Sequence, residues 1–168
     1  MAQKPTARRR LTLALGAIVI VIVVAACGGG TPEQSMIEGL PRTVPGLEGD
    51  EVALYSPDKP TLVAFVAYWC APCRTELPQL EEVANEYSDV AHFVGVAVQE
   101  EPAATGDLVD ETGITFPVGV DPDGDVLATT GFVSMPGSLL LDTDGTVIER
   151  YEGVIDFAQL RTTLDDVD

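Results

Sequence analysis

Residues Thr61 to Pro78, TLVAFVAYWCAPCRTELP, form the stretch that decides the fold. Its first part, Thr61 to Ala67, is a continuous apolar run rich in Val, Phe and Ala. The run is too short to span a membrane and is typical of a strand that is buried on both faces. We therefore predict that it lies at the centre of a β-sheet.

Two cysteines follow this predicted strand. Cys70 and Cys73 enclose Pro72, and proline is favoured in the first turn of a helix, where a missing N–H group costs no hydrogen bond. The pair is therefore predicted at a helix N-terminus. Free backbone N–H groups and the positive end of the helix dipole stabilise a thiolate on Cys70 there. A C-x-x-C pair between a strand and a helix indicates a redox couple.

Other chemistry fits the cysteine pair less well. A disulfide across only two intervening residues removes little entropy from the unfolded chain and would be a weak structural staple. Zinc needs about four ligands, and beyond the pair the chain offers only Cys27 and His92. Haem attachment requires a histidine after the second cysteine, where this chain has Arg74. We predict no metal and no cofactor.

Residues 1–27 are predicted to be an export signal. A basic segment, Lys4 with Arg8 to Arg10, precedes the apolar stretch Leu11 to Val24, and Ala-Ala-Cys closes the signal at Cys27. This ending resembles the lipobox of bacterial lipoproteins, which implies cleavage before Cys27 and lipidation of its sulfur. An uncleaved transmembrane anchor is the alternative. Both interpretations predict a domain tethered to the cell membrane on its extracytoplasmic face.

Charge and compartment restrict the partners. Residues 28–168 contain five Lys and Arg against 27 Asp and Glu, a net formal charge of −22, which repels nucleic acid and anionic membrane surfaces. With Cys27 lipidated, the other two cysteines have only each other as intramolecular partners. An exported dithiol is not held reduced by cytosolic thiol buffers, so it either receives electrons or passes on oxidising power.

The remaining sequence predicts one domain. Residues 28–42, GGGTPEQSMIEGLPR, are predicted to be a flexible tether, and residues 43–168 are enough for a single core. Thr43 to Tyr55 is predicted as a short β-hairpin or extended segment that turns at Glu48 to Asp50. After the central strand we predict a helix from Arg74 to Tyr87 kinked at Pro78, a strand from Val90 to Val98, a helix from Ala103 to Thr112, a strand from Phe116 to Val120, a helix from Asp125 to Thr130, a hairpin of Ser138 to Leu141 with Thr146 to Tyr151, and a helix from Phe157 to Val167. This order predicts an α/β fold with a central mixed sheet flanked by helices.

Some polar features receive structural interpretations. DPDGD at 121–125 and DTDGT at 142–146 resemble calcium loops but lack glycine at the sixth loop position, so they are predicted to be turns. His92 is the single histidine, lies in an apolar strand and is predicted to be structural.

From about Val44 to its C-terminus, the sequence resembles the thioredoxin superfamily, specifically the membrane-anchored thiol-disulfide oxidoreductases of the TlpA/ResA type. The matching motifs are WCAPC at 69–73 with Glu76 and Pro78, TFP at 115–117, DPDG at 121–124, and Met135-Pro136 ahead of LLLDTDGTVIERYEG. The resemblance implies a thioredoxin fold in which Pro136 follows a cis peptide bond and faces the disulfide. A peroxiredoxin would instead need a peroxidatic cysteine in its own pocket.

The resemblance also implies roles for the site residues. Cys70 would attack a substrate disulfide, and the more buried Cys73 would resolve the mixed disulfide. The backbone beside Pro136 would pair with the substrate, and Pro72 and Met135 would belong to the same surface. Trp69 would pack beside the sulfurs, or it would be a core aromatic.

Glu76 lies one helical turn beyond Cys73, and the resemblance implies that it exchanges a proton with that thiol; a solvated helix glutamate is the alternative. Two residues depart from the family pattern. Ala64 replaces a buried Asp or Asn, so a proton acceptor beneath the disulfide must come from elsewhere, and Gly137 follows the proline where Thr is common.

We therefore predict a monomeric, lipid-anchored thiol-disulfide oxidoreductase that exchanges electrons with protein disulfides or dithiols and with a membrane electron donor. The resemblance favours reduction of protein disulfides, including those handled in cytochrome c maturation. A disulfide-forming oxidase is the first alternative, since the two directions differ only in reduction potential. The second is a lipoprotein that binds a partner without catalysis.

Overall fold

A five-stranded mixed sheet forms the centre of the fold in the computed structural model, which describes Met1 and residues 35–167. The elements, in chain order, are β1 (Thr43–Pro45), β2 (Glu51–Ala53), β3 (Thr61–Val66), α1 (Ala71–Glu86), β4 (His92–Val98), α2 (Pro102–Thr112), β5 (Val118–Asp121), α3 (Asp125–Thr130), β6 (Gly137–Leu141), β7 (Val147–Glu152) and α4 (Phe157–Val167). The sheet has the strand order β5-β4-β3-β6-β7, and β1 and β2 form a separate antiparallel pair. The predicted fold class and the N-terminal hairpin are confirmed.

Strand β3 occupies the middle of the sheet, as its apolar run predicts. All six of its residues are buried. It pairs in parallel with β4, where Thr61 is opposite His92, and antiparallel with β6, where Ala64 is opposite Ser138. Because both edges of β3 are occupied by other strands, the residues that follow it leave the sheet at its centre.

The two faces of the sheet carry different parts of the core, because successive side chains of a strand point to opposite faces. Leu62 and Ala64 belong to one cluster, together with Cys73 and Leu77 of α1 and Leu160 of α4. Val63 and Phe65 belong to the other cluster, which includes Val44 and Val52 of the hairpin. The cysteines therefore lie on the face covered by α1 and α4, and the hairpin covers the opposite face.

Close backbone approach attaches the hairpin to the sheet edge. Gly46 forms an isolated antiparallel bridge with Gly119 of β5. A Cβ atom at position 119 would lie 2.2 Å from the Val44 side chain, so only glycine leaves room for this approach. The chain before the hairpin also packs on the domain: Met36 bridges Thr146, and Ile37 and Leu40 contact the core. The end of the predicted tether, 35–42, thus lies against the domain rather than free of it.

Some element boundaries differ from the predicted ones for local reasons. Strand β5 begins at Val118 rather than Phe116, because Pro117 has no N–H group to donate, although its carbonyl accepts a bond from Gly95. Strand β4 begins at His92 because the N–H groups of Val90 and Ala91 both donate to the Tyr87 carbonyl at the end of α1. Helix α1 continues through Pro78, whose ring is exposed.

Residues 2–27 of the predicted signal, which include the lipidation residue Cys27, lie outside the described residues. Among the residues that the structure does describe, no helix combines the length and apolar character needed to cross a membrane.

Candidate active site

A disulfide between Cys70 and Cys73 lies at the N-terminus of α1, directly after the central strand. The Cα atoms of the two residues are 5.3 Å apart. Cys70 is the N-cap of the helix, and its Sγ accepts a hydrogen bond from the Cys73 N–H group at 3.2 Å. The Cys70 carbonyl accepts a second bond, from Arg74. The helix thus directs a backbone donor at the first sulfur, as expected for a site that stabilises a thiolate.

The two cysteines differ in burial. Cys73 is fully buried and Cys70 is only 4% exposed, although Ala71 and Pro72 between them are exposed. The predicted order of burial is correct, but Cys70 in the oxidised protein is less accessible than an exposed helix terminus suggests. A visiting polypeptide would therefore reach its sulfur through the adjoining groove.

An open groove of about 620 Å³ borders the disulfide. Its walls come from Trp69, Cys70 and Pro72 on one side and from the segment 132–135 on the other. Trp69 is 57% exposed, so it belongs to the groove surface and not to the core. Val133, on the opposite side, is 93% exposed. The groove therefore presents apolar side chains to solvent on both sides of the sulfur.

The peptide bond between Met135 and Pro136 is cis, in agreement with the resemblance, and Pro136 itself is buried. Met135 lines the groove and contacts both core clusters. The structure thus brings five predicted site residues, Trp69, Cys70, Pro72, Met135 and Pro136, to one region at the C-terminal end of β3 and the start of β6.

Gly137, one of the departures from the family pattern, has a packing reason. A Cβ atom at this position would lie 3.0 Å from the ring of Phe132, so a side chain here would displace the ring. Phe132 lines the groove, makes an edge contact with Phe65 at 5.9 Å between ring centroids, and lies 3.8 Å from the Arg150 guanidinium carbon. The small residue therefore lets an aromatic ring form part of the groove wall.

Glu76 is buried beneath the site. Glu76 is 4% exposed and belongs to the buried face of α1, so the alternative of a solvated glutamate is wrong. Oε1 accepts one hydrogen bond, from the Ile155 N–H group at 3.3 Å, and Oε2 has no partner among the described residues. Desolvation raises the pKa of Glu76 to about 7, and the bond from Ile155 opposes the rise. A carboxyl group with this pKa can accept and release a proton near neutral pH.

Sequence reasoning missed Glu100. Its Oε2 accepts a hydrogen bond from the Tyr68 N–H group at 2.6 Å, and its Oε1 accepts one from the Thr105 hydroxyl at 2.9 Å. These bonds join the segment after β4 to the loop that carries Trp69 and Cys70. Glu101 follows immediately in the sequence, so a single sequence gives no signal that singles out Glu100.

The remaining polar features have structural partners. His92 Nε2 lies 3.1 Å from the Asp58 carboxylate, and hydrogen bonds from Ser56 and then His92 lower the pKa of Asp58 to about 2. In DPDGD the Gly124 N–H group donates to the Asp121 carbonyl, as expected for a turn, and the Asp121 carboxylate accepts the Leu127 N–H group in the first turn of α3. Within residues 35–167 no three His, Cys, Asp or Glu side chains group as metal ligands.

Comparison with known proteins agrees with this geometry. A family model described as Redoxin matches residues 40–164. Thiol-disulfide oxidoreductase ResA of Bacillus thuringiensis subsp. konkukian is 30% identical over 112 residues, which cover 66% of this chain and 65% of ResA. The chain thus spans somewhat less than two thirds of the length of this relative.

Solved structures give the same result. MTB DsbF, in its mixed oxidised and reduced forms, matches with a TM-score of 0.67 and 27% identity over 77% of this chain and 96% of DsbF. A DsbF homologue from Corynebacterium diphtheriae matches with a TM-score of 0.66 and 28% identity over 74% and 82%. The predicted resemblance to ResA-type proteins and the thioredoxin-like fold are confirmed. Because the family model covers most of the sequence, the chain belongs to the Redoxin family.

Proposed function

We propose that this protein is an extracytoplasmic thiol-disulfide oxidoreductase that reduces disulfides in other proteins through Cys70 and Cys73. One observation carries the proposal: the disulfide lies at the N-terminus of α1 and borders an open apolar groove. A purely structural disulfide needs no such groove. The names of the matched relatives, ResA and DsbF, support the same chemistry.

The reaction begins with the reduced dithiol. The Cys70 thiolate attacks one sulfur of the substrate disulfide, which forms a mixed disulfide and releases one substrate thiolate. The Cys73 thiolate then attacks Cys70 Sγ and releases the second substrate thiolate, which restores the Cys70–Cys73 disulfide. Two electrons pass to the substrate in each cycle. Renewal of the dithiol requires an electron donor, which we place in the membrane.

Glu76 serves the second attack. Cys73 must lose a proton to become a nucleophile, and its thiol is fully buried, away from water. Glu76 lies three residues further along α1, with about 5–6 Å expected between the two Cβ atoms. Its raised pKa, about 7, suits a group that takes this proton and later returns it.

The groove holds the substrate. An extended segment around the substrate cysteine would pair with the backbone beside Pro136, while Trp69 and Met135 contact its side chains. The Phe132 ring, which packs against Gly137, makes this wall aromatic. A protein disulfide next to large apolar residues is therefore the expected substrate, and apocytochrome c is one candidate that the resemblance suggests.

Covalent trapping tests the proposal. In a Cys73→Ser protein the mixed disulfide on Cys70 cannot be resolved, so adducts that are sensitive to reductant should accumulate in cells and be identified by mass spectrometry. A Cys70→Ser protein is the matched control and should trap none. Loss of insulin disulfide reduction in both variants is also expected. If Cys73→Ser forms no adduct, the non-catalytic alternative is correct.

The direction of electron flow needs its own measurement. The Cys73 N–H group that points at Cys70 Sγ stabilises the thiolate, and stabilisation of the reduced form makes a dithiol a stronger oxidant. This observation favours the oxidase alternative. Equilibration with glutathione measures the reduction potential and decides between the two directions. A potential near that of thioredoxin, about −270 mV, supports the reductase. A potential of about −120 mV, as in the strong periplasmic oxidants, supports the oxidase.

Membrane attachment through Cys27 completes the proposal. The prediction rests on the sequence of residues 1–27, and fatty-acid labelling in cells tests it. Wild-type protein should incorporate the label, and a Cys27→Ser variant should not. No label on either protein, together with no change in mass between precursor and membrane form, would support the uncleaved anchor instead.

A further inference from the structure

A second pocket, of about 250 Å³, lies at the other end of the central strand. Thr61, at the start of β3, lines it, whereas Cys70 follows the end of that strand. The six residues of β3 span about 20 Å, so the two sites are well separated. Hairpin strand β2 forms one wall, and the first residues of β4 form the other.

The pocket contains an unpartnered buried hydroxyl. Thr61 is 1% exposed, and its Oγ1 has no hydrogen-bond partner among the described residues. Because side chains alternate along a strand, Thr61 shares a face with Val63, which lies in the cluster beneath the hairpin. The side chain therefore points toward the hairpin, the same side on which Val52 and Val94 line the pocket. Leaving a buried hydroxyl unpaired costs about 1–3 kcal/mol, so a ligand that pairs with it gains binding free energy.

The rim of the pocket is acidic. Asp50 and Glu51 of the hairpin line it, and no lysine or arginine does. The nearby cation Lys59 is directed elsewhere, since its Nζ donates to the Ser88 carbonyl at 3.0 Å. His92 also lines the pocket, and its Nε2 is occupied by Asp58. With the net charge of −22 on residues 28–168, these carboxylates favour a cationic ligand and disfavour an anionic one.

We infer that this pocket binds the side chain of a lysine presented by a partner protein. Val52, Val94 and Pro117 supply apolar walls for the methylene chain. The ammonium group has three donors, one of which suits the buried hydroxyl, and its charge is attracted by the acidic rim, where Glu51 Oε1 also accepts a hydrogen bond from the Thr43 hydroxyl at 3.4 Å. A planar guanidinium instead prefers bidentate partners. The volume lies below the range of about 300–1,000 Å³ that is usual for small-molecule sites, so it fits a single side chain.

The location allows binding at this site whether or not the proposed redox function is correct. A partner held here leaves the groove beside Cys70 open, because the two sites share no lining residue. The disulfide could then act on that partner, or on a third protein, while the complex persists. Binding of a partner at this pocket does not depend on whether the Cys70–Cys73 pair reduces or oxidises its substrate.

An NMR titration of the full-length, ¹⁵N-labelled, oxidised protein in a zwitterionic detergent tests the inference. The probe is Nα-acetyl-lysine methylamide, and Nα-acetyl-norleucine methylamide has a similar apolar stem without the ammonium. We expect saturable shifts at the amides of Val52, Phe93 and Val94, little change at residues 69–73, and affinity for the norleucine probe weaker by about tenfold. No saturable shift, or equal affinity for both probes, would overturn the inference.

Three variants separate the hydroxyl from general effects of mutation. Thr61→Val keeps the shape of the side chain and should weaken lysine binding by about tenfold, while Thr61→Ser keeps the hydroxyl and should bind as wild type does. Ser138→Ala is the matched control, because Ser138 Oγ is also buried and unpartnered but does not line this pocket. Unchanged binding by Thr61→Val, or equal loss in Ser138→Ala, would show that the hydroxyl does not hold the ligand.

Discussion

Replacement of Glu76 by glutamine should make the oxidised protein more stable at alkaline pH. In the folded protein the carboxyl group is buried, with one hydrogen bond to Oε1 and none to Oε2. Glutamine has nearly the same shape, and its side-chain oxygen can still accept the Ile155 N–H group. The substitution therefore removes the ionisable group while it retains the packing and the one bond.

The magnitude follows from the shift in pKa. Burial raises the pKa of Glu76 from 4.5 to about 7, so the unfolded chain loses this proton at lower pH than the folded chain does. Between these two values the folded state binds more protons, and its stability therefore falls as pH rises. Each pKa unit corresponds to about 1.4 kcal/mol, which gives a full penalty of about 3 kcal/mol above pH 7. Most of this penalty, about 2–3 kcal/mol, develops between pH 5 and pH 8.

Urea denaturation of the oxidised proteins at pH 5 and pH 8 measures the effect. The disulfide keeps both cysteines from titrating, and a comparison of variants removes the contribution of the other carboxylates. The Glu76→Gln protein should gain about 2–3 kcal/mol relative to wild type between the two pH values. Glu82→Gln, at an exposed position of the same helix, controls for the loss of one negative charge. A difference between Glu76→Gln and wild type that does not change with pH would refute the reasoning.

Three further substitutions test how the site is supported. Gly119→Ala should destabilise the protein by about 1–3 kcal/mol in thermal unfolding, because the new Cβ would lie 2.2 Å from Val44. An unchanged Tm would mean that the hairpin does not lie this close to β5. Trp69→Ala should change the free energy of unfolding by less than about 0.5 kcal/mol, since the ring is mostly exposed, but it should slow insulin reduction. If the variant is as active as wild type, Trp69 does not contact the substrate. Glu100→Ala should lower activity and shift the reduction potential more than Glu100→Gln does, because only alanine deletes the acceptor for the Tyr68 N–H group. Equal reduction potentials of the two variants would contradict a positioning role for Glu100.

The elements were predictable because most have strong local signals. The apolar run from Thr61 marks a central strand, and Gly113, which has a positive φ of 69°, ends α2 where the sequence predicts. The mixed sheet followed from the order of these elements. Packing of residues 35–40 was not predictable, because Met36 and Ile37 stand in a Gly- and Pro-rich segment with no periodic pattern.

The candidate site was predictable only where chemistry and spacing coincide. The C-x-x-C pair and the later Met135-Pro136 motif carry recognisable signals, and the structure brings them together. Glu100 and Phe132 act through contacts with residues far along the chain: Glu100 bonds to Tyr68, and Phe132 fills the space left by Gly137. Such contacts depend on tertiary geometry, so periodicity and motif spacing contain no trace of them.

The absence of an acidic residue at position 64 gives the buried carboxylate of α1 its importance. Ala64 lies on the same sheet face as Cys73, and its neighbour in β6 is Ser138, whose hydroxyl carries no formal charge. Glu76 is the only buried Asp or Glu described in the structure on the helix that carries the disulfide. Its protonated form is favoured because ionisation would leave Oε2 charged, buried and unpaired. In the proposed mechanism, storage of the Cys73 proton on Glu76 therefore neutralises a buried charge and needs no additional polar partner, whereas return of that proton to the thiol leaves the carboxylate charged and buried again.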